Sequence, residues 1–266
     1  MPGAPARAPR GAGRSASSAV STGGGAAAAG RAAAVSSSSA RHAIDVGEQR
    51  IYHVTHIGNL AGILEAHAVL ADGGGAAQPR PAVDISSPAN REARRGMRVA
   101  GEAEPPVAGY VPFFLSPDAG VWESIRSQSP DPRLSNEAYQ HSAYDYVILV
   151  STVKKAFGEP SEGAGGASVI VANGDATGTF TRFGIDRDAG EHMLRALRAG
   201  EESEAMRAAE LLVRESFPIE QISLIGVAND KVRTAVRALL AGSGTRHVPK
   251  VVVYPPWFQP ADADVL

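Results

Sequence analysis

Gln49-Arg50-Ile51-Tyr52-His53-Val54-Thr55-His56-Ile57 runs directly into Gly58-Asn59-Leu60-Ala61-Gly62-Ile63-Leu64-Glu65-Ala66-His67, and the hydrophobic period changes at the join. The first nine residues alternate bulky with polar side chains and are rich in β-formers, which predicts a strand. In the second part Leu60, Ile63 and Leu64 stand at helical spacing behind Gly58 and Asn59, both suited to a helix start. The stretch is a strand-turn-helix unit. On such a strand His53 and Thr55 share a face while His56 points the other way, so a metal shared by the two histidines is not expected. His53 with Thr55 is either a ligand-contacting pair or a hydrogen-bonded pair half in the core.

Residues 71–82 are rich in Gly, Ala and Pro and read as a loop. Residues 84–98 gather Arg91, Arg94, Arg95 and Arg98 in one polar segment. It is either a solvated surface or the place where one arginine holds a phosphate through paired hydrogen bonds. Residues 109–117 are aromatic and β-prone, with prolines that suit an edge or irregular strand. A long polar stretch, 118–144, is expected to hold a helix at 121–126 and then a mobile loop. Residues 146–150 and 168–172 are continuous apolar runs, hence strands buried on both faces, and the second ends in the turn signal Asn173-Gly174-Asp175. Helices are predicted over 189–199, 201–213 and 231–240, and strands over 223–227 and 250–254. No glycine-rich dinucleotide or Walker loop follows any strand, which disfavours a Rossmann domain and a P-loop NTPase.

Glu210 interrupts the apolar run Ala208-Ala209-Glu210-Leu211-Leu212-Val213. An ionised carboxylate there is costly unless it is paired, hydrogen-bonded or used chemically. The plain reading puts it on the wet face of the segment with Leu211 and Val213 inward, and the predicted helix over 201–213 turns Met206, Leu211 and Leu212 inward.

Composition narrows the chemistry. The chain has 266 residues, a net charge of −2 and no cysteine. Disulfides, thiolate zinc sites and thiol nucleophiles are therefore excluded, and a nucleic-acid substrate would need a local basic patch. No apolar run approaches the length of a membrane span. Residues 1–44 lack acids and carry five arginines among Ala, Gly and Ser. They read as a low-complexity disordered extension, with an organelle transit peptide as the alternative, and folding is expected to start near Asp45.

Taken together, several stretches resemble the DarT-type DNA ADP-ribosyltransferases. The likeness runs from Ile51-Tyr52-His53-Val54-Thr55-His56-Ile57-Gly58-Asn59-Leu60, through residues 85–99 with their arginine spacing and Tyr110-Val111-Pro112-Phe113-Phe114, to Ala209-Glu210-Leu211-Leu212-Val213 with Ser216-Phe217-Pro218 and a last strand leading to Trp257. The resemblance implies an α+β ADP-ribosyltransferase-like fold, a split mixed β-sheet core flanked by helices. It implies a single catalytic domain, residues 46–266, behind the extension of residues 1–45. It further implies a cytoplasmic toxin or defence enzyme that uses NAD, without a metal, to modify thymidine in single-stranded DNA, with a macrodomain antitoxin as partner and no membrane association. Glu210 and Arg94 are the implied catalytic residues. His53, Thr55, Asn59 and Arg94 are the implied NAD contacts, and Arg91, Tyr110, Asp175 and Arg182 the implied substrate contacts. The residue types suit the chemistry: loss of nicotinamide leaves a ribosyl cation that a carboxylate can stabilise, and the same carboxylate can take a proton from a weakly nucleophilic ring atom.

Two positions depart from the family pattern. Asp175 stands where a neutral or basic residue is expected after the second buried strand, and Asp118 follows Pro117 where an arginine is expected. Both lower the positive charge where a DNA strand would run. RNA, protein or a small molecule as acceptor, or a non-catalytic NAD-binding module, are the competing readings.

Overall fold

A computed structural model describes residues 45–73, 80–99, 101–102, 104–158, 168–200 and 204–261. The predicted disordered extension and the middle of the 71–82 loop lie outside the described residues. Ten strands are present among them: β1 (Arg50–His56), β2 (Ala68–Leu70), β3 (Tyr110–Phe114), β4 (Tyr146–Thr152), β5 (Val169–Ala172), β6 (Phe183–Gly184), β7 (Glu210–Arg214), β8 (Ser216–Pro218), β9 (Leu224–Val227) and β10 (Lys250–Val253). The helices are α1 (Leu60–Glu65), α2 (Pro88–Gly96), α3 (Gly120–Arg126), α4 (Val153–Phe157), α5 (Arg187–Ala199), α6 (Glu204–Ala208) and α7 (Asp230–Gly242). None of these helices is long and apolar enough to cross a membrane.

Eight strands form one sheet in the order β10-β9-β4-β1-β3-β7-β5-β6, and β2 pairs with β8 apart from it. The β9–β10 pair is parallel and the other pairs are antiparallel, so the sheet is mixed as expected. Its middle is split. β1 pairs with β4 along its whole length, from Arg50–Thr152 to His56–Tyr146, but with β3 only at Tyr52–Phe114. Beyond that rung the two strands share no ladder.

The alternation of side chains explains the layers. Ile51, Val111, Phe113, Val147, Leu149, Leu211, Val213 and Ile225 face one side and pack into the largest apolar cluster, which also takes in residues of α1, α5 and α7. Tyr52, Val54, Tyr146 and Ile148 face the other side with Trp122, Ile125 and Phe258, while Tyr110, Ile170 and Leu212 form a separate cluster with Val107 and Ala176. The apolar run of β4 is thus buried on both faces, as its composition required.

The predicted helix over 201–213 is overturned. Among its described residues only Glu204–Ala208 is helical, and Glu210–Arg214 is a strand between β3 and β5. A central strand buries successive residues on both faces, so Leu211, Leu212 and Val213 are all buried, where a helix would have turned one of them outward. The 118–144 stretch contains α3 and then tied turns: the Tyr139 hydroxyl accepts from the Asp131 amide and donates to the Ser129 carbonyl, and the Tyr146 hydroxyl donates to the Ala138 carbonyl. α2 buries no residue and is started by Ser87, whose hydroxyl accepts from the Asn90 amide and donates to the Pro132 carbonyl.

Two glycines test this packing in opposite directions. A Cβ on Gly184 would lie 2.7 to 2.8 Å from backbone atoms of Ala189 and Gly190 where α5 crosses β6, whereas a Cβ on Gly62 in α1 meets nothing within 4 Å. Gly184→Ala is expected to lower unfolding stability by about 1–3 kcal/mol through overpacking, and Gly62→Ala to raise it by about 0.5–1 kcal/mol through helix propensity. Denaturant titration of both variants checks the signs.

Candidate active site

Phe114 pairs with Tyr52 on one side and with Glu210 on the other, and Glu210 pairs in turn with Ala172. The four residues form one rung, so their side chains share a face. On that face the rung falls between the two smaller apolar clusters, and Glu210 occupies the break. Its side chain is 6% exposed. One oxygen, Oε2, accepts from Arg94 Nη1 at 3.0 Å; the other, Oε1, accepts from the main-chain N–H of Ala176 at 3.1 Å. The plain reading of a solvated Glu210 is therefore overturned, because the strand register turns it into the protein and two donors meet it there.

Arg94 reaches Glu210 from the last turn of α2 and is itself 15% exposed. Its Nη2 is buried with no hydrogen-bond partner among the described residues, and so is Nε of Arg91, one turn earlier. Arg91 is otherwise occupied by Asp72 at 2.6 Å and Asp84 at 2.5 Å. A buried guanidinium N–H without an acceptor is costly unless a ligand supplies one.

Beside Glu210 lies a cavity of about 290 Å³ lined in part by Phe114, Glu204, Arg133 and Arg207. That is the lower end of the range of ligand pockets, roughly 300–1,000 Å³. Arg133 and Arg207 were not singled out in the sequence, since each is an ordinary surface-type arginine until the chain is folded. The only local trace of Arg133 is Asp131 two residues before it, which holds its Nη2 at 2.7 Å.

The remaining predicted residues divide into two groups. Thr55 and Asn59 lie together: Asn59 Nδ2 donates to Thr55 Oγ1 at 3.1 Å and to the Val83 carbonyl at 2.8 Å, and Asn59 Oδ1 accepts from the Val83 amide at 2.8 Å. Asn59 thereby fixes the start of the segment that leads into α2. His53 lies where β1 leaves β3. Its Nδ1 is 2.9 Å from the Pro112 carbonyl, which makes that nitrogen the N–H donor and leaves Nε2 as a lone pair. Burial pushes the His53 pKa below 6.5, against the hydrogen bond to Pro112. By strand parity His53 and Thr55 share a face with each other and not with Glu210.

Tyr110 is fully buried in the cluster around Leu212, and Arg182 is exposed on the loop after β5, which also lines a second cavity of about 470 Å³. Asp175 lies on the same loop. It accepts from Thr177 through both main chain and hydroxyl and from Arg133 Nη1 at 2.9 Å. Burial raises its pKa, but these hydrogen bonds and the Arg133 charge outweigh burial and hold it below the usual carboxylate range. Asp118 accepts from Arg126 Nη1 at 3.0 Å, and its carbonyl accepts from Arg207 Nε at 2.9 Å. Both unexpected acids are thus ion-paired to arginines of the same domain.

Among the described residues, His56, His141 and Asp145 bring potential metal-ligand atoms within 4.8 Å of one another. His56 Nδ1 already accepts from the Gly58 amide at 3.1 Å, so Nε2 is the nitrogen that carries the proton in the neutral ring. The ring meets its two neighbours as a donor, and a metal would have to displace that helix-capping contact.

Against known proteins, residues 52–259 match the model of the family described as "ssDNA thymidine ADP-ribosyltransferase, DarT". A DNA ADP-ribosyl transferase of Thermus aquaticus is 27% identical over an alignment spanning 78% of this chain and 88% of its own. The fold is similar to that of Thermus sp. 2.9 DarT in complex with ADP-ribosylated ssDNA, with a TM-score of 0.65 and 23% identity over 79% of this chain and 96% of that one. The same protein in complex with NAD+ gives 0.60 and 22% over 79% and 98%.

Two measurements test the electrostatics. Arg94→Met leaves Glu210 buried without its cation and is expected to cost about 3 kcal/mol or more of stability by urea unfolding, whereas Arg94→Lys costs less. A folded-state pKa below 6.5 means that His53 adds stability fully present above that pH and lost as pH falls, because the unfolded chain binds the proton first. His53→Gln is therefore expected to lose less stability than wild type between about pH 7 and pH 5.

Proposed function

The chain belongs to the DarT family of ssDNA thymidine ADP-ribosyltransferases, and we propose that Glu210 and Arg94 form the centre at which it transfers ADP-ribose from NAD to thymidine in single-stranded DNA. The observation that carries this reading is the double anchoring of a buried carboxylate, by Arg94 Nη1 on one oxygen and by the Ala176 N–H on the other. Each carboxylate oxygen has a further lone pair. These lone pairs are available for a ribose hydroxyl and for the ring N–H of thymine, so Glu210 both orients the donor and takes the acceptor's proton.

NAD fits the residues present. The unpartnered Nη2 of Arg94 and Nε of Arg91 are buried donors on one side of α2 that suit the anionic pyrophosphate or a ribose oxygen. The Nε2 lone pair of His53 and the Thr55 hydroxyl, near the split between β1 and β3, are assigned to the nicotinamide end. Asn59 acts through Thr55 and Val83 by holding both in place. When bound, NAD supplies an electrophilic ribose carbon with nicotinamide as leaving group; the protein supplies fixed charge where positive charge develops. Arg182 and the Asn173–Arg182 loop are assigned to the acceptor side, and Arg133 positions that loop through Asp175. Tyr110 and Arg91 contribute through packing and through the Asp72–Asp84 anchor of α2 respectively. A macrodomain antitoxin as partner is part of the same proposal, and co-expression that relieves growth arrest is its test.

Incubation with labelled NAD and single-stranded oligonucleotides is expected to label only those containing thymidine. Glu210→Gln is expected to lower the rate at least about 100-fold while thermal melting confirms that the variant is folded. Label transfer that survives the substitution would remove Glu210 from the reacting centre.

A further inference from the structure

Phe180 is 95% exposed, while the next most exposed large apolar residue among those described, Val248, is 62% exposed. An isolated apolar side chain at a surface is ordinary. The backbone beneath this one is not. The Asn173 amide donates to the Arg182 carbonyl and the Arg182 amide to Asn173 Oδ1, closing the loop at its base. Inside it the Gly178 amide donates to the Asp175 carbonyl, the Thr181 amide to the Gly178 carbonyl, and the Thr181 hydroxyl to the Asp175 carbonyl at 2.6 Å. Asp175 adds the contacts to Thr177 and Arg133. Gly178 has no room for a side chain, since a Cβ there would lie 2.7 Å from Thr181 Oγ1. A tightly bonded loop holds a bare aromatic ring out into water.

The position of that loop is the second observation. Its Ala176 amide is one of the two donors to Glu210, four residues before Phe180. Four residues span at most about 14 Å, the rise of about four stacked nucleotides at 3.4 Å per nucleotide. Arg182, two residues after Phe180, is exposed and makes no ion pair among the described residues. A cation beside an aromatic platform is the pairing that binds single strands: the guanidinium meets a phosphate and the ring meets a base.

We infer that Phe180 is a stacking platform for a base of the acceptor strand within about four nucleotides of the modified thymidine. The inference rests on the single-stranded DNA reading of the site and adds to it the residue that sets the strand in register. Phe has no hydrogen-bonding group, so the contact reads the face of a base and not its edge. Phe180 is then a positioning residue: it holds the strand, while the choice of thymine is made at Glu210. The fixed loop lowers the ordering cost of binding, because little conformational freedom is left for the strand to remove.

The test uses the full chain, a fluorescent single-stranded oligonucleotide with one thymidine, and a set of the same oligonucleotide with single abasic sites stepped away from it. Phe180→Ala and Phe180→Leu are expected to raise the Kd by anisotropy and the KM for the oligonucleotide about 5- to 100-fold, and Phe180→Trp to restore both. An abasic site at one position within the four-nucleotide window is expected to weaken wild type by a similar factor and the Ala variant hardly at all. Equal Kd and KM for wild type, Ala and Leu, or an abasic penalty that persists in the Ala variant, overturns the inference while leaving DNA modification intact. Phe180-dependent binding without label transfer supports the platform and overturns the transfer reading instead. Absence of both binding and transfer in wild type overturns both.

Discussion

A carboxylate buried at the centre of a β-sheet sets the terms for the rest of this domain. Glu210 shares a rung with Tyr52, Phe114 and Ala172, and hydrocarbon lies on either side of it. Such a group is tolerated only when donors surround it, so Arg94 and the Ala176 amide are as much conditions of folding as parts of a site. The dependence runs both ways. α2 buries no side chain, and what fixes its last turn to the sheet is the arginine that Glu210 accepts. Its first turn is fixed by Ser87 against Pro132 and by the Arg91 contacts to Asp72 and Asp84. Polar contacts at both ends hold a helix that hydrophobic burial does not.

The split in the sheet begins at the rung that carries this carboxylate. Seven residue pairs tie β1 to β4, but one ties β1 to β3. Main-chain groups past that rung must find other partners, and the His53 ring provides one by donating to the Pro112 carbonyl. The two halves of the sheet are therefore joined at the rung of Glu210 and open beside it. His53 and Thr55 sit at that opening, on the opposite face from Glu210, with Asn59 bracing Thr55 against the segment before α2.

Much of the architecture was legible because local pattern and burial agree. The alternation in β1, the unbroken apolar run of β4 and the period of α7 each matched one element, and family likeness joined Arg94 to Glu210 across a separation of 116 residues. The failure at 201–213 has a definite cause. Ala-rich sequence with Met206 at helical spacing continues smoothly into Glu-Leu-Leu-Val, and a short apolar run carries no period that separates a buried strand from a helix. Only the ladders to β3 and β5 decide it. Asp175 and Asp118 read as unfavourable acids because their compensating partners are distant or unremarkable locally: Arg133 lies 42 residues from Asp175, and Arg126 is an ordinary helix-end arginine until it is buried. Charge counted along a chain is not charge counted in space.

The donor that the Asn173–Arg182 loop gives to Glu210 is a peptide N–H, and this bears on how freely the loop can change its sequence. Any residue except proline at position 176 offers the same group, whatever its side chain. A side-chain donor would have bound the loop's identity to the reaction. With a main-chain donor, the solvent-facing residues between Asn173 and Arg182 can be exchanged for others that keep the turn while Ala176 and Gly178 stay small, and the carboxylate keeps its donor. The anchoring of Glu210 and the side chains that the loop turns to solvent are in that sense separately mutable.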